Sequence, residues 1–192
     1  MCSSDLLGYV ACLGYGYLAI ETVLVHQLVL FVGHPTYAIT LVVLAMLLGS
    51  GGGSVWLASR AGEGASAARW LRGVLVAVVV LAFLGGVVAP PALSAVALGA
   101  PLAVRAALTF AVLLPLGFFM GGPFPLSLRA VAPGAAAAIP WAWAINGWMS
   151  VLASLATVVI ARLEGYTAAY VAAILAYAVA VLFAGRLPKV GE

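Results

Sequence analysis

The sequence predicts an all-α polytopic membrane bundle with about six transmembrane helices. Three observations predict it. Of the 192 residues, 66% are hydrophobic and 7% are charged, whereas a soluble domain carries roughly 25% charged residues. Mean hydropathy is +1.25, and the apolar residues gather into runs long enough for a hydrocarbon core that needs ~20 helical residues. The chain has no alternating ten-residue segments of the kind that build an outer-membrane barrel.

The spans are expected at residues 7–32, 37–59, 70–89, 102–121, 140–161 and 166–185, followed by a tail at 186–192. The first closes on Gly33-His34-Pro35-Thr36, read as a tight turn. The second contains Gly49-Ser50-Gly51-Gly52-Gly53-Ser54. A phosphate loop would follow a strand and carry a Lys-Ser/Thr pair. Inside a span these glycines instead predict close helix packing or a flexible point. Pro90-Pro91 is expected to end the third span, and Gly121-Gly122-Pro123-Phe124-Pro125 the fourth. Pro115, Gly117, Gly121 and Gly122 favour a kinked or broken fourth helix. No internal sequence repeat relates the first three spans to the last three.

Charge orients the bundle. Arg60, Arg69, Arg72, Arg129, Arg186 and Lys189 follow the even-numbered spans, against Arg105 and Arg162 on the other side. Six against two puts both termini in the cytoplasm. Trp56, Trp70 and Trp141 fall near span ends, where interfacial anchors belong. Residues 1–6 read as a non-native start without the basic region of a signal peptide. The chain is therefore expected to be the C-terminal piece of a longer protein.

Few residues carry chemistry. Glu21 lies mid-span, where a carboxylate costs at least ~2.5 kcal/mol on insertion scales. It shares a helix face with Gly14, Leu18, Val25 and Leu28. Three roles suit it: a proton or cation site, a counter-charge for a substrate amine, or a structural hydrogen bond to another helix. His26 and Gln27 point away from it on the same helix. Asn146, Ser150, Ser154 and Thr157 draw one polar stripe along the fifth span, with Gly147 beside it. That stripe serves either as helix-to-helix glue or as a cavity wall in which Asn146 and Ser150 meet a substrate opposite Glu21. His34 is expected to hydrogen-bond locally in its turn, and Arg105 to snorkel to the outer interface.

Cys2 and Cys12 are too few for a disulfide framework, and with the two histidines they make at most an irregular metal site. No metal or other cofactor is expected. A Ser-His-Asp set, paired carboxylates and a dinucleotide fingerprint are all missing, and scattered basic residues argue against nucleic acid.

Several segments together resemble a known family. They are Gly14-Tyr15-Gly16-Tyr17-Leu18-Ala19-Ile20-Glu21 with His26-Gln27, the Gly33-His34-Pro35-Thr36 turn, and Gly51-Gly52-Gly53-Ser54 with Arg60. Phe118 through Leu126, including Pro123 and Pro125, and Trp141 through Gly147 extend the likeness. The chain resembles the membrane region of bacterial spermidine-synthase-like integral membrane proteins, in which a major-facilitator-like part is fused to a synthase domain. Leu28 departs from the family pattern, which usually has a basic residue after the glutamine. The resemblance implies a bacterial inner-membrane protein that anchors a cytosolic aminopropyltransferase- or methyltransferase-like domain, upstream of this chain and absent from it. It also implies a polyamine or other cationic or lipophilic substrate, for which Glu21, Gln27, Asn146 and Ser150 are the candidate residues. His34, Pro35, Gly51, Gly53, Ser54, Pro123 and Pro125 would be structural. Two alternatives stay open: half of a major-facilitator-like transporter, and a purely structural anchor.

Overall fold

A computed structural model of the chain describes residues 3–62, 64–130 and 137–186. Among these residues the fold is an all-α bundle. Its elements are α1 (Ser3–Val32), α2 (Pro35–Ala61), α3 (Ala65–Phe83), a π turn (Leu84–Val88), α4 (Ala89–Ala97), α5 (Leu102–Met120), α6 (Pro123–Ala130), α7 (Ile139–Glu164) and α8 (Tyr166–Ala184). Six helical units are long and apolar enough to cross a membrane, because α3 continues through the π turn into α4, and α5 and α6 adjoin. Lys189 and the rest of the tail after Arg186 lie outside the described residues, as do Met1 and Cys2.

Local chemistry explains the helix ends. Gly33 takes φ 94° and its N–H bonds Val29 O at 2.8 Å, closing α1 with a conformation that suits glycine. His34 caps α2 by accepting the Thr36 N–H at Nδ1, 3.2 Å away. Pro35 follows in the first helical turn, where its missing N–H costs little. Arg105 reaches back from α5 to donate from Nη1 to Phe31 O at 2.9 Å. That bond satisfies a carbonyl at the negative end of α1, so the guanidinium is held by a helix terminus as well as lying near one.

The third span runs past Pro90-Pro91, where the sequence predicts its end. Both prolines occupy the first turn of α4, immediately after the π turn. A π insertion already interrupts the regular i→i+4 ladder, so prolines placed just beyond it remove little that was not lost. The Tyr170 hydroxyl donates to Ala82 O at 2.9 Å beside this insertion. Pro115 likewise lies inside α5 without ending it.

Two parallel helix pairs lead the packing, the first span with the fifth (α1 and α7) and the second with the fourth (α2 and α5), with the antiparallel contact of α1 and α8 close behind. Exchanging first with fourth, second with fifth and third with sixth converts one pair into the other. The same exchange maps the contact between α3 and α8 onto itself. The sequence carries no visible repeat, yet these pairs share this symmetry; the contact of α1 with α2 does not, since the fourth and fifth spans scarcely touch. Helix α1 is the centre, with 44% of its span window buried against 11% for α7. Tyr9, Val10, Ala19, Ile20, Val23 and Leu24 of α1 are fully enclosed. The outer faces carry Leu30, Val55, Val96 and Leu163 in the open, a surface suited to lipid.

The second span shows which glycines pack. A Cβ on Gly53 would collide with the Phe118 carbonyl, and one on Gly121 with the Ser50 carbonyl. Gly49 and Gly117 press on backbone in the same seam. Gly51, Gly52 and Gly147 face open space, so the close packing expected of Gly51 is absent, and Ser54 is half-buried on the same helix. Pro123 is buried at the start of α6, and Pro125 is half-buried within its first turn. The Pro123 carbonyl accepts the Tyr9 hydroxyl at 3.1 Å, tying α6 to α1.

Candidate functional site

The polar stripe of α7 meets α1 directly. Asn146 Nδ2 donates to Val10 O at 3.0 Å, and Ser150 Oγ lies 3.2 Å from Gly14 O and 2.9 Å from Asn146 O. A hydroxyl has one proton, so Ser150 donates to one of these carbonyls at a time. The approach depends on Gly14, whose missing Cβ would collide with the Asn146 carbonyl. Ser154 bonds within its own helix to Val151 O. Thr157 is buried and its hydroxyl has no partner among the described residues.

This contact borders a cavity of about 230 Å³ lined by Gly14, Tyr17 and Leu18 of α1, Phe124 of α6, Asn146 and Ser150 of α7, and Tyr177 of α8. Trp143 packs edge-on against Phe124, with ring centroids 4.5 Å apart, beside the cavity. Tyr177 approaches α1 at Gly16, where a side chain would meet its ring at 2.7 Å. The Tyr17 hydroxyl makes a long 3.4 Å contact with Ser50 Oγ. The walls therefore combine aromatic side chains with the amide of Asn146 and the hydroxyl-bearing Ser150. Together these suit a cation with N–H donors.

Glu21 stands one helical turn beyond Tyr17 and does not line the cavity itself. It is half-buried and makes no hydrogen bond or ion pair among the described residues. Asn146 is thus not opposite Glu21. It lies about two turns nearer the N-terminus of α1, at the level of Val10 and Gly14. Gln27 is separate again. With His26 it lines a second recess on the far side of the bundle, so Asn146 and Ser150 share the cavity, Glu21 stands one turn outside it, and Gln27 belongs elsewhere. Among the described residues no group of three His, Cys, Asp or Glu side chains comes together to hold a metal.

The cavity's aromatic wall escapes sequence reasoning. Tyr17 has a usable signal, lying four residues before Glu21 and hence on its face. Tyr177 and Phe124 have none, because nothing in their local sequence points to α1. Comparison with protein-family models, with curated proteins and with solved structures finds no match for this chain.

Proposed function

We propose that this chain is the six-span membrane part of a bacterial spermidine-synthase-like protein, and that it binds a cationic amine beside Glu21. One observation carries the binding. A carboxylate deep in an apolar span has no hydrogen-bond or ion-pair partner among the described residues, one turn from a small cavity walled by aromatic rings and the polar side chains of α7. A structural carboxylate would be hydrogen-bonded to a neighbouring helix, since an unsatisfied polar group in lipid is costly. A diamine would span the distance, with one ammonium beside Glu21 and the other in the cavity among Tyr17, Tyr177 and Asn146. The resemblance in the Gly14 to Gln27, Gly33 to Thr36 and Trp141 to Gly147 segments supports the family and a polyamine as the amine. In this reading the protein sits in the inner membrane with both termini cytoplasmic, anchoring a cytosolic catalytic domain.

A transporter half is the second reading. The exchange symmetry of the helix pairs favours it, because inverted repeats of three spans build many secondary transporters around a mid-membrane site.

Binding is tested on the chain in lipid nanodiscs with radiolabelled spermidine. Charge-assisted contacts contribute about 1.5–3 kcal/mol, so Glu21→Gln is expected to weaken binding by roughly 10- to 100-fold. Glu21→Asp is expected to retain part of the affinity. Unchanged affinity in Glu21→Gln would sink the proposal, as would equal binding of an uncharged diol of the same length. Uptake of the label into vesicles containing the longest natural form separates the transporter from the anchored binding domain.

A further inference from the structure

Four arginines gather at one end of the bundle. Arg60 lies in the last turn of α2, Arg69 and Arg72 stand in the first turns of α3, and Arg129 lies in the last turn of α6. A backbone bond from Gly64 N–H to Arg129 O, 3.2 Å long, ties the α2–α3 connection to α6. Arg69 borders a groove of about 360 Å³ that the amine site does not use.

The groove is graded along its length. One wall is a single stripe of α3, made by Ser66, Arg69, Trp70, Gly73 and Val74, which share a face by their spacings of three, four and seven. Phe119 of α5 forms the other wall. At about 1.5 Å of rise per residue, Ser66 and Arg69 lie within about 6 Å of the start of α3, whereas Gly73 and Val74 lie about 12 Å or more along it. A hydroxyl and a guanidinium therefore come first, an aromatic ring next, and an apolar floor last. Arg69, Trp70 and Gly73 are exposed, and a Cβ on Gly73 would meet nothing within 4 Å.

Aromatic contacts hold the rim. Trp70 packs edge-on against Trp56 of α2 at 6.4 Å between centroids, Trp56 meets Phe118 at 5.8 Å, and Phe118 meets Phe119 at 5.5 Å. Arg60 lies over the Trp56 ring, 5.3 Å from its centroid, and so brings a second cation to the same rim. Trp56 and Trp70 each stand five residues from the end of their helix, a matched depth that suits the membrane–water interface. Among the described residues no carboxylate lines the groove. Residues 60–72 carry three arginines against one acidic residue, Glu63, which lies outside the described residues.

We propose that this groove binds an anionic phospholipid, with its phosphate on Arg69 and one acyl chain laid over Gly73 against Phe119. The planar fork of arginine matches phosphate geometry. Ser66 supplies a hydroxyl donor, and Arg60 adds charge at the rim. Cation, ring and apolar floor follow one another in the order in which a lipid of that leaflet presents phosphate, glycerol and hydrocarbon. A zwitterionic lipid brings its own ammonium to the four arginines and gains less.

The test places the whole chain in phosphatidylcholine vesicles and titrates phosphatidylglycerol brominated on its acyl chains. Tryptophan fluorescence is the readout, because bromine quenches an adjacent indole. Quenching is expected to saturate at a low mole fraction, whereas brominated phosphatidylcholine should quench only in proportion to its content. Trp70→Phe should remove most of the saturable part, which assigns it to this groove and not to the tryptophans of α7. Arg69→Gln is expected to raise the half-saturating fraction at least about tenfold. Gly73→Leu fills the groove without changing charge and should do the same. Arg129→Gln, outside the groove, should raise it less than about fivefold. Equal titrations with the two lipids would overturn the proposal, as would an unaffected Gly73→Leu. Equal losses in Arg69→Gln and Arg129→Gln would also overturn it, showing a diffuse field in place of a site. Displacement of the lipid by soluble glycerol phosphate would overturn it in favour of a small phosphate ester. The comparison of the two lipids uses the natural chain, so it does not depend on how any variant folds.

Discussion

The two parallel seams of the bundle have opposite chemistry. Between α2 and α5 both helices contribute glycines, and backbone rests on backbone at Gly53 with Phe118 and at Gly121 with Ser50. Between α1 and α7 the only glycine in contact is Gly14, and the join is made by Asn146 and Ser150 to helix carbonyls. Beside this second seam lies the 230 Å³ cavity, with Glu21 one turn further on. Lipid tails are as apolar as leucine, so membrane helices associate through close packing and polar bonds rather than hydrophobic burial. Small residues on both sides use the first route and close the seam. Polar side chains on one side use the second and hold the helices while leaving room. A ligand site belongs beside the seam that is held without being filled.

The largest effect should come from closing the room that the glycine seam lacks. Gly53→Ala places a methyl against the Phe118 carbonyl, which belongs to a helix backbone and cannot rotate away. A loss of about 3 kcal/mol is expected, read as reduced unfolding free energy in mixed micelles. A neutral result would mean that the α2 and α5 seam is looser than described. In the polar seam, Asn146→Ala removes one interhelical bond and is expected to cost about 1 kcal/mol. It should also lower spermidine affinity, whereas Glu21→Gln should lower affinity and leave stability unchanged. If the two variants behaved alike, Glu21 would be part of the scaffold. Ser150→Ala is expected to cost only about 0.5 kcal/mol, because its single proton is shared between two carbonyls. The smallest effect belongs to Gly51→Ala on the open face of α2. With no neighbour to strike, it should be neutral or gain up to about 1 kcal/mol from helix propensity. A loss there comparable to Gly53→Ala would show that another surface covers this face.

Much of the bundle is legible in the chain. Helix starts at Pro35, Leu102, Ile139 and Tyr166 lie within two residues of the spans read from hydropathy and turn residues. Pro90-Pro91 is a helix terminator by its local chemistry, whereas the third helical unit continues to Ala97. The π turn that accommodates it depends on Gly86 passing under the Tyr170 ring, 84 residues away. The glycine cluster announced close packing, yet only the contacts with α5 select Gly49 and Gly53 and leave Gly51 and Gly52 open. The stripe from Asn146 to Thr157 was visible as one helix face. Its neighbours are not: one helix face cannot show that Asn146 bonds to Val10 instead of lying opposite Glu21, or that Gln27 belongs to another recess.

The sequence by itself determined the all-α class and the six lipid-compatible helices. It also singled out Glu21 as the one acidic residue deep in a span. These are properties of single segments: transfer into a bilayer sums over the residues of one helix, and so does its length. Only the tertiary structure decided that Asn146 and Ser150 join α7 to α1, that Tyr17 and Tyr177 wall the cavity, and that His26 and Gln27 share a recess with Tyr166. Those contacts depend on the rotation and offset of one helix against another. Both are set by the sum of small packing and polar terms between distant segments, and no single segment contains that sum.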